Sequence, residues 1–297
     1  MTKLVKNVLL FTILSTVLLL FLVKSNLIVS SVNDSLDLFF SSVFPSLMPF
    51  FILIDVLNYF NYFASLSKIL KFKFSDLILV SMVSGLPSNA KYLSTYIEKG
   101  LISKKDASIL LGLSFFPNPM YVISVIGVMF FGNVYFGIKF LISLYLSSLI
   151  VFTLNYKRFK YVKVESTRDK KGFVSMLSDS IIKNSKCLII IFGNIFIFNI
   201  IVSLLNYVLP FDDSTISVIN LIFEMSSGIK KTSLLTIPIN TKLIIASLGL
   251  SASGLAVISQ ALSILPGGSI DLKVLFKSKL LCLVFNFLII YILVNFF

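Results

Sequence analysis

The chain has 297 residues, of which 57% are hydrophobic and only 13% charged, with a mean hydropathy of +0.99. Soluble domains carry roughly 25% charged residues, so this balance excludes a soluble globular fold and leaves a polytopic membrane protein. The net charge is +13 and there is no histidine, which excludes a histidine proton relay, a histidine metal site and a Ser-His-Asp triad.

The basic residues sit in short loops between apolar runs. There they read as topology markers of the inside, so no nucleic-acid partner is expected. Cys187 and Cys282 lie in apolar runs, with neither a disulfide framework nor zinc spacing. The sequence offers no catalytic residue, metal site or cofactor site.

Lys3 and Lys6 precede an apolar run at 8–23, which ends at Lys24. No small-residue cleavage site clearly follows, so this reads as a first span with its N-terminus inside, not as a signal peptide. Asn33-Asp34-Ser35 reads as a helix start. Residues 38–60 then span, bent by Pro45 and Pro49. Asp55 has two readings of equal weight. It faces protein or water deep in the membrane, where a carboxylate costs ~2.5–3.5 kcal/mol, or it lies near the membrane surface or is paired with Asn58 or a lysine.

Lys68, Lys71 and Lys73 form a basic loop. Lys99, Lys104 and Lys105 form another. Between them an apolar run at 77–83 meets Ser84-Gly85-Leu86-Pro87-Ser88-Asn89-Ala90-Lys91, and a helix-compatible run follows at 92–98. Gly and Pro break the helix, and Ser88 and Asn89 suit the cap of the next one. Each arm is about ten residues, roughly 15 Å, half the hydrocarbon thickness. Two basic loops on one side require a re-entrant hairpin; a Gly/Pro kink in a spanning helix is the competing reading.

Ser103-Lys104-Lys105-Asp106 resembles a capping box with Asp in place of Glu. It opens a helix to about residue 130, interrupted at Leu113-Ser114-Phe115-Phe116-Pro117-Asn118-Pro119. This is either an unwound span of the kind found at transporter midplanes or a proline kink patched by a neighbouring serine. Residues 134–154 return inward, and the strongly basic stretch 156–171 joins two halves.

The second half repeats the plan from the opposite side. Residues 172–186 are an amphipathic lead-in and 187–208 span outward. Pro210-Phe211-Asp212-Asp213-Ser214 is acidic and caps the next helix. Arms at 215–223 and 232–239 flank a second break, Glu224-Met225-Ser226-Ser227-Gly228-Ile229-Lys230-Lys231. Residues 243–265 span inward, broken at Leu250-Ser251-Ala252-Ser253-Gly254, with Gln260 two turns on. Lys273, Lys277 and Lys279 mark the inside, and 280–296 leave outward.

The expected fold is an all-α polytopic membrane protein with seven spans and two hairpins. An N-terminal span (1–34) precedes an inverted repeat of span, re-entrant hairpin, broken span, span. The first copy is 35–156, a basic cytoplasmic linker occupies 157–172, and the second copy is 173–297. The candidate solute site comprises Ser84, Gly85, Pro87, Ser88, Asn89, Lys91, Asn118, Glu224, Ser226, Ser227, Gly228, Ser251, Ser253, Gly254 and Gln260. Helix N-termini at both tips, together with Lys91 and Lys230 or Lys231, favour a small anion. Glu224 pairs with Lys91 or Lys231, coordinates a cation or carries a proton; a structural ion pair is an equal reading. The sequence leaves a homo-oligomer open.

On these residues the chain resembles the YlbJ-type sporulation integral membrane proteins, within the group carrying the nucleoside-recognition, or Gate, domain. The match rests on Phe44-Pro45-Ser46-Leu47-Met48-Pro49-Phe50, on the Ser84–Lys91 motif, on Asn118-Pro119, on Phe223-Glu224-Met225-Ser226-Ser227-Gly228 and on residues 249–260. The resemblance implies solute movement across a membrane of a spore-forming cell. One branch of the group passes dipicolinate from mother cell to forespore, which implies the outer forespore membrane and a dipicolinate-like anion. It also implies a site like that of concentrative nucleoside transporters. A non-transporting scaffold of the spore envelope and a nucleoside-type permease are the competing functions.

Overall fold

A computed structural model describes residues 3–70, 72–86, 88–159 and 172–297. Every regular element among the described residues is a helix. α1 (Lys3–Val23) leads almost directly into α2 (Ser25–Tyr59). The expected start at Asn33-Asp34-Ser35 therefore falls inside a helix. The reason is a polar seam to a later helix: Ser31 Oγ donates to Ser203 Oγ at 2.7 Å, and Asn199 Nδ2 donates to Ser35 Oγ at 3.0 Å. In hydrocarbon such interhelical bonds hold polar residues inside a packed helix. α2 takes one π-helical turn at Phe39–Val43. Pro45 would press its ring on the carbonyl four residues back, at Ser41, and the wider turn spans that carbonyl.

After α3 (Tyr62–Leu70), the helices α4 (Ser75–Ser84) and α5 (Ser88–Glu98) fold back on each other. α6 (Lys104–Leu113) and the π-helical α7 (Tyr121–Phe130) are separated by a non-helical stretch at 114–118. α8 (Val134–Asn155) returns against α7, and Gly127 and Gly137 bring the two backbones into contact. Ser103 caps α6 as expected, accepting from the Asp106 N–H at 3.1 Å and donating to its carboxylate at 2.7 Å.

The loops around the first hairpin meet at one end of the molecule. Lys73 Nζ donates to the carbonyls of Tyr156 and Phe159, and Arg158 pairs with Asp106 at 2.8 Å. Both ends of the α4–α5 pair thus sit beside the start of the linker, the geometry a hairpin requires. Lys71, Pro87 and linker residues 160–171 lie outside the described residues.

In the second half α9 (Phe173–Val208) is a single 36-residue helix, with the expected lead-in and span continuous. α10 (Asp213–Phe223) and α11 (Met225–Leu234) fold back on each other. α12 (Ile239–Ala252) and α13 (Gly254–Ile264) form one span broken at Ser253, and α14 (Leu272–Asn295) ends the fold. Five helical stretches among the described residues are long and apolar enough to cross a membrane, namely α2, α8, α9, α12–α13 and α14. The chain is an all-helical, multi-pass membrane protein. Ser143, Ser247 and Asn286 bond to one another at 3.0–3.1 Å and tie α8, α12 and α14 together.

Two large apolar cores and one small one result. The first gathers α2, α7, α8, α9 and α12 with the second hairpin; the second gathers the first hairpin with α6, α8, α13 and α14; the small one is Ile54, Phe63 and Val80. Phe116 belongs to the first and Phe115 to the second. The break at 114–118 is where the two large cores meet.

Candidate functional site

The first tip is fastened to the first break. Gly85 has φ +67 and ψ −167, a conformation open essentially to glycine alone. It lets Leu86 N–H donate to the Phe116 carbonyl at 3.0 Å. Pro117 and Pro119 carry no N–H and hold the intervening chain extended. Asn118 then restarts the helix, its Oδ1 accepting from the N–H groups of Met120 (2.9 Å) and Tyr121 (3.3 Å). Asn89 reaches across, donating its amide to the Ser114 carbonyl and, at 3.2 Å, to the Ser114 hydroxyl.

The second tip is fastened to the second break. Glu224 alone separates α10 from α11, and its carboxylate caps α11 by accepting from Ser226 N–H at 3.0 Å and Ser227 N–H at 2.6 Å. Both Ser253 (φ +69) and Gly254 (φ +65) are left-handed, and a Cβ at Gly254 would stand 3.2 Å from the Leu221 carbonyl oxygen and 3.2 Å from the Met225 nitrogen. The left-handed backbone and the tight approach of the tip both favour glycine at position 254.

Between these two joints lies a cavity of about 70 Å³. Leu86 from the first tip, Asn118 from the first break, Glu224 and Ser226 from the second tip, and Ser253 from the second break all line it. Ile191 and Ile195 of α9 and Leu47 of α2 close the apolar side. Two buried polar atoms on the wall have no partner: Asn118 Nδ2 and the Tyr121 hydroxyl. Just behind the wall stands Lys279 of α14, 7% exposed. Its ammonium donates to Ser253 Oγ at 2.7 Å and lies 4.2 Å from the centroid of the Phe115 ring. The site therefore combines one buried acid, one buried base and unspent hydrogen-bonding groups.

The chain is 25% identical to the sporulation integral membrane protein YlbJ of Bacillus subtilis (strain 168), over 298 residues covering 84% of this chain and 73% of that protein. The comparison supports a YlbJ-type family. No family model matches the chain, and no solved structure matches it.

Of the residues singled out in the sequence, the structure brings Asn118, Glu224, Ser226, Ser253 and Gln260 onto one cavity wall. Gly85, Gly228 and Gly254 serve close backbone approach. Ser84 spends its hydroxyl on the Val80 carbonyl at 2.6 Å, and Asn89 spends its amide on Ser114. Ser227 and Ser251 are buried nearby without lining the cavity. Of Ser88 only the backbone is described, as the first residue of α5, and Pro87 lies outside the described residues.

The charges are placed differently from expectation. Lys91 is exposed and sits beside Lys183 and Asp55, away from the cavity wall. Asp55 takes the paired alternative, accepting from Ser180 Oγ (2.7 Å), Asn184 Nδ2 (2.9 Å) and Lys183 Nζ (3.4 Å). Glu224 forms no ion pair with Lys91 or Lys231 among the described residues. Because it fills the start of α11, the open positive helix end expected at the second tip is closed. Lys279, read as a loop marker, is buried at the site. One signal could have found it. Lys279 shares a helical stripe with Leu275, Cys282, Asn286 and Ile290, the buried face of α14. Lys273 and Lys277 lie on another face.

Proposed function

We propose that this chain is a carrier that moves a small anionic, dipicolinate-like solute across a membrane of a sporulating cell. The observation that carries the reading is convergence. Two hairpin tips and two helix breaks, distant in sequence, wall a single cavity that contains unpaired buried donors. Irregular backbone at membrane depth is tolerated where protein buries it or it lines a polar cavity. Hairpins and broken helices around a midplane site are the recurring plan of secondary transporters. A scaffold has no use for a buried acid and a buried base at such a point. The relative's role as a sporulation integral membrane protein supports the cellular setting.

The cavity is small beside the roughly 300–1,000 Å³ of small-molecule sites. In this reading the solute enters when a hairpin tip withdraws from its helix break and the cavity widens. Asn118, Ser226, Ser253 and Gln260 supply hydrogen bonds, and Lys91 with Lys183 lends positive potential to the approach beside Asp55. The test is uptake of labelled dipicolinate into proteoliposomes. The expected result is uptake above protein-free vesicles and its loss in Asn118→Ala. Equal uptake with and without the wild-type protein overturns the reading.

A further inference from the structure

The ammonium of Lys279 has no carboxylate within reach. Among the described residues the ion pairs are Arg158–Asp106 and Lys183–Asp55. A lysine has three donors. One goes to Ser253 Oγ and the group faces the ring of Phe115. These are weak compensation for a full charge inside a membrane protein, where an unpaired cation is costly and marks a functional position. On the cavity side, Asn118 Nδ2 and the Tyr121 hydroxyl are buried without partners. Ser253 and Asn118 line the same cavity. Asn118 and Tyr121 thus leave unmet donors on the cavity wall, and the Lys279 ammonium stands just behind that wall, on Ser253.

We propose that Lys279 is the anion-binding residue of this site, and that a carboxylate entering the cavity is held by Lys279 and Ser253 on one side and by Asn118 and Tyr121 on the other. The inference rests on the carrier reading for its purpose, but binding tests it alone. Glu224 supplies no donor here, since its carboxylate is engaged with Ser226 and Ser227 N–H. Phe115 offers its face to the cation and an apolar edge to the solute, which suits a flat aromatic carboxylate. The arrangement trades fold stability for binding. Replacing the lysine with methionine keeps an unbranched side chain one atom shorter and removes the buried charge. The empty protein therefore gains, or at least keeps, its melting temperature, while the ligand loses its counter-charge.

The experiment is thermal unfolding of the detergent-purified full chain with dipicolinate, picolinate or the neutral isostere pyridine-2,6-dimethanol. We expect the carboxylates, and not the dimethanol, to raise the melting temperature of the wild type. In Lys279→Met the empty protein should melt no lower, and carboxylate affinity should fall about tenfold to hundredfold, the worth of a hydrogen bond to a charged group. Lys279→Arg should retain most of the affinity. Ser253→Ala should also weaken carboxylate binding, and it serves as the test if Lys279→Met does not fold. Carboxylate binding unchanged in Lys279→Met or in Ser253→Ala overturns the proposal, as does a wild type that no carboxylate stabilises. Uptake of a neutral solute without carboxylate binding would remove this inference and leave a carrier. Carboxylate binding lost in Lys279→Met, with no uptake by the wild type, would do the reverse.

Discussion

Gly85 lies directly on the backbone of Asn118: a Cβ at position 85 would stand 2.7 Å from the Asn118 nitrogen. This contact joins the first hairpin to the first broken span, and the side chain of the same Asn118 lines the cavity. Gly85→Ala is penalised twice. Its backbone conformation costs about 1–3 kcal/mol for any other residue, and the methyl has only main chain to displace. The tip must move off the break, taking the Leu86–Phe116 hydrogen bond with it. We expect a lowered melting temperature and faster hydrogen exchange at Leu86. A Gly85→Ala protein that melts like the wild type would mean that the tip does not rest on Asn118.

The second hairpin depends on a similar approach. A Cβ at Gly228 would come within 2.4 Å of the Leu221 nitrogen, whereas one at Gly193 on α9 would meet nothing within 4 Å. Gly228→Ala should therefore force α10 and α11 apart and sharply reduce the yield of monodisperse protein. Gly193→Ala should be neutral or slightly stabilising, since alanine favours helix by about 1 kcal/mol over glycine. Similar yields for the two variants would contradict the packing of this hairpin.

Much of this design is visible in the residues themselves. The breaks at Gly85 and Ser253–Gly254, and the proline-bracketed Asn118, follow from local chemistry that no neighbour needs to supply. So does the capping of α6 by Ser103. What stays hidden is set by packing. Asn33-Asp34-Ser35 carries a good local start signal, overruled by serine and asparagine contacts between α2 and α9. Glu224 reads as a charge awaiting a partner, but its partners are the N–H groups of its own next turn. Lys279 sits two residues from Lys277, and only the face of the helix tells them apart. The order of hairpins and broken spans does not say which charges enter the cavity.

Asp212, fully exposed in the loop before α10, links pH to the order of that arm. Its carboxylate is held below the usual aspartate range, first by the Thr215 hydroxyl at 2.6 Å, then by the N–H groups of Thr215 and Ser214. The folded-state pKa is depressed, so this contribution is complete above the ordinary aspartate value and fades as pH falls through the lower folded value. The melting temperature of the wild type should exceed that of Asp212→Ala at neutral pH. The gap should close in strong acid, below the normal aspartate pKa of about 3.9. A gap independent of pH would rule out charge-assisted capping at this position.

Glu224 gives the most stringent test of the second tip, because cap and cavity wall meet in one carboxylate. Each of its oxygens accepts from a different N–H, Ser226 on Oε1 and Ser227 on Oε2. Glutamine has the same shape but only one acceptor oxygen. In Glu224→Gln the amide nitrogen must face an N–H, leaving a buried donor unsatisfied at about 1–3 kcal/mol. Glu224→Ala removes both acceptors and should destabilise further. Both variants should show faster exchange of the Ser226 and Ser227 amides and a lower melting temperature, with alanine the worse. A Glu224→Gln protein as stable as the wild type, with those amides equally protected, would show that the carboxylate does not cap α11 and is free to meet a solute or an ion.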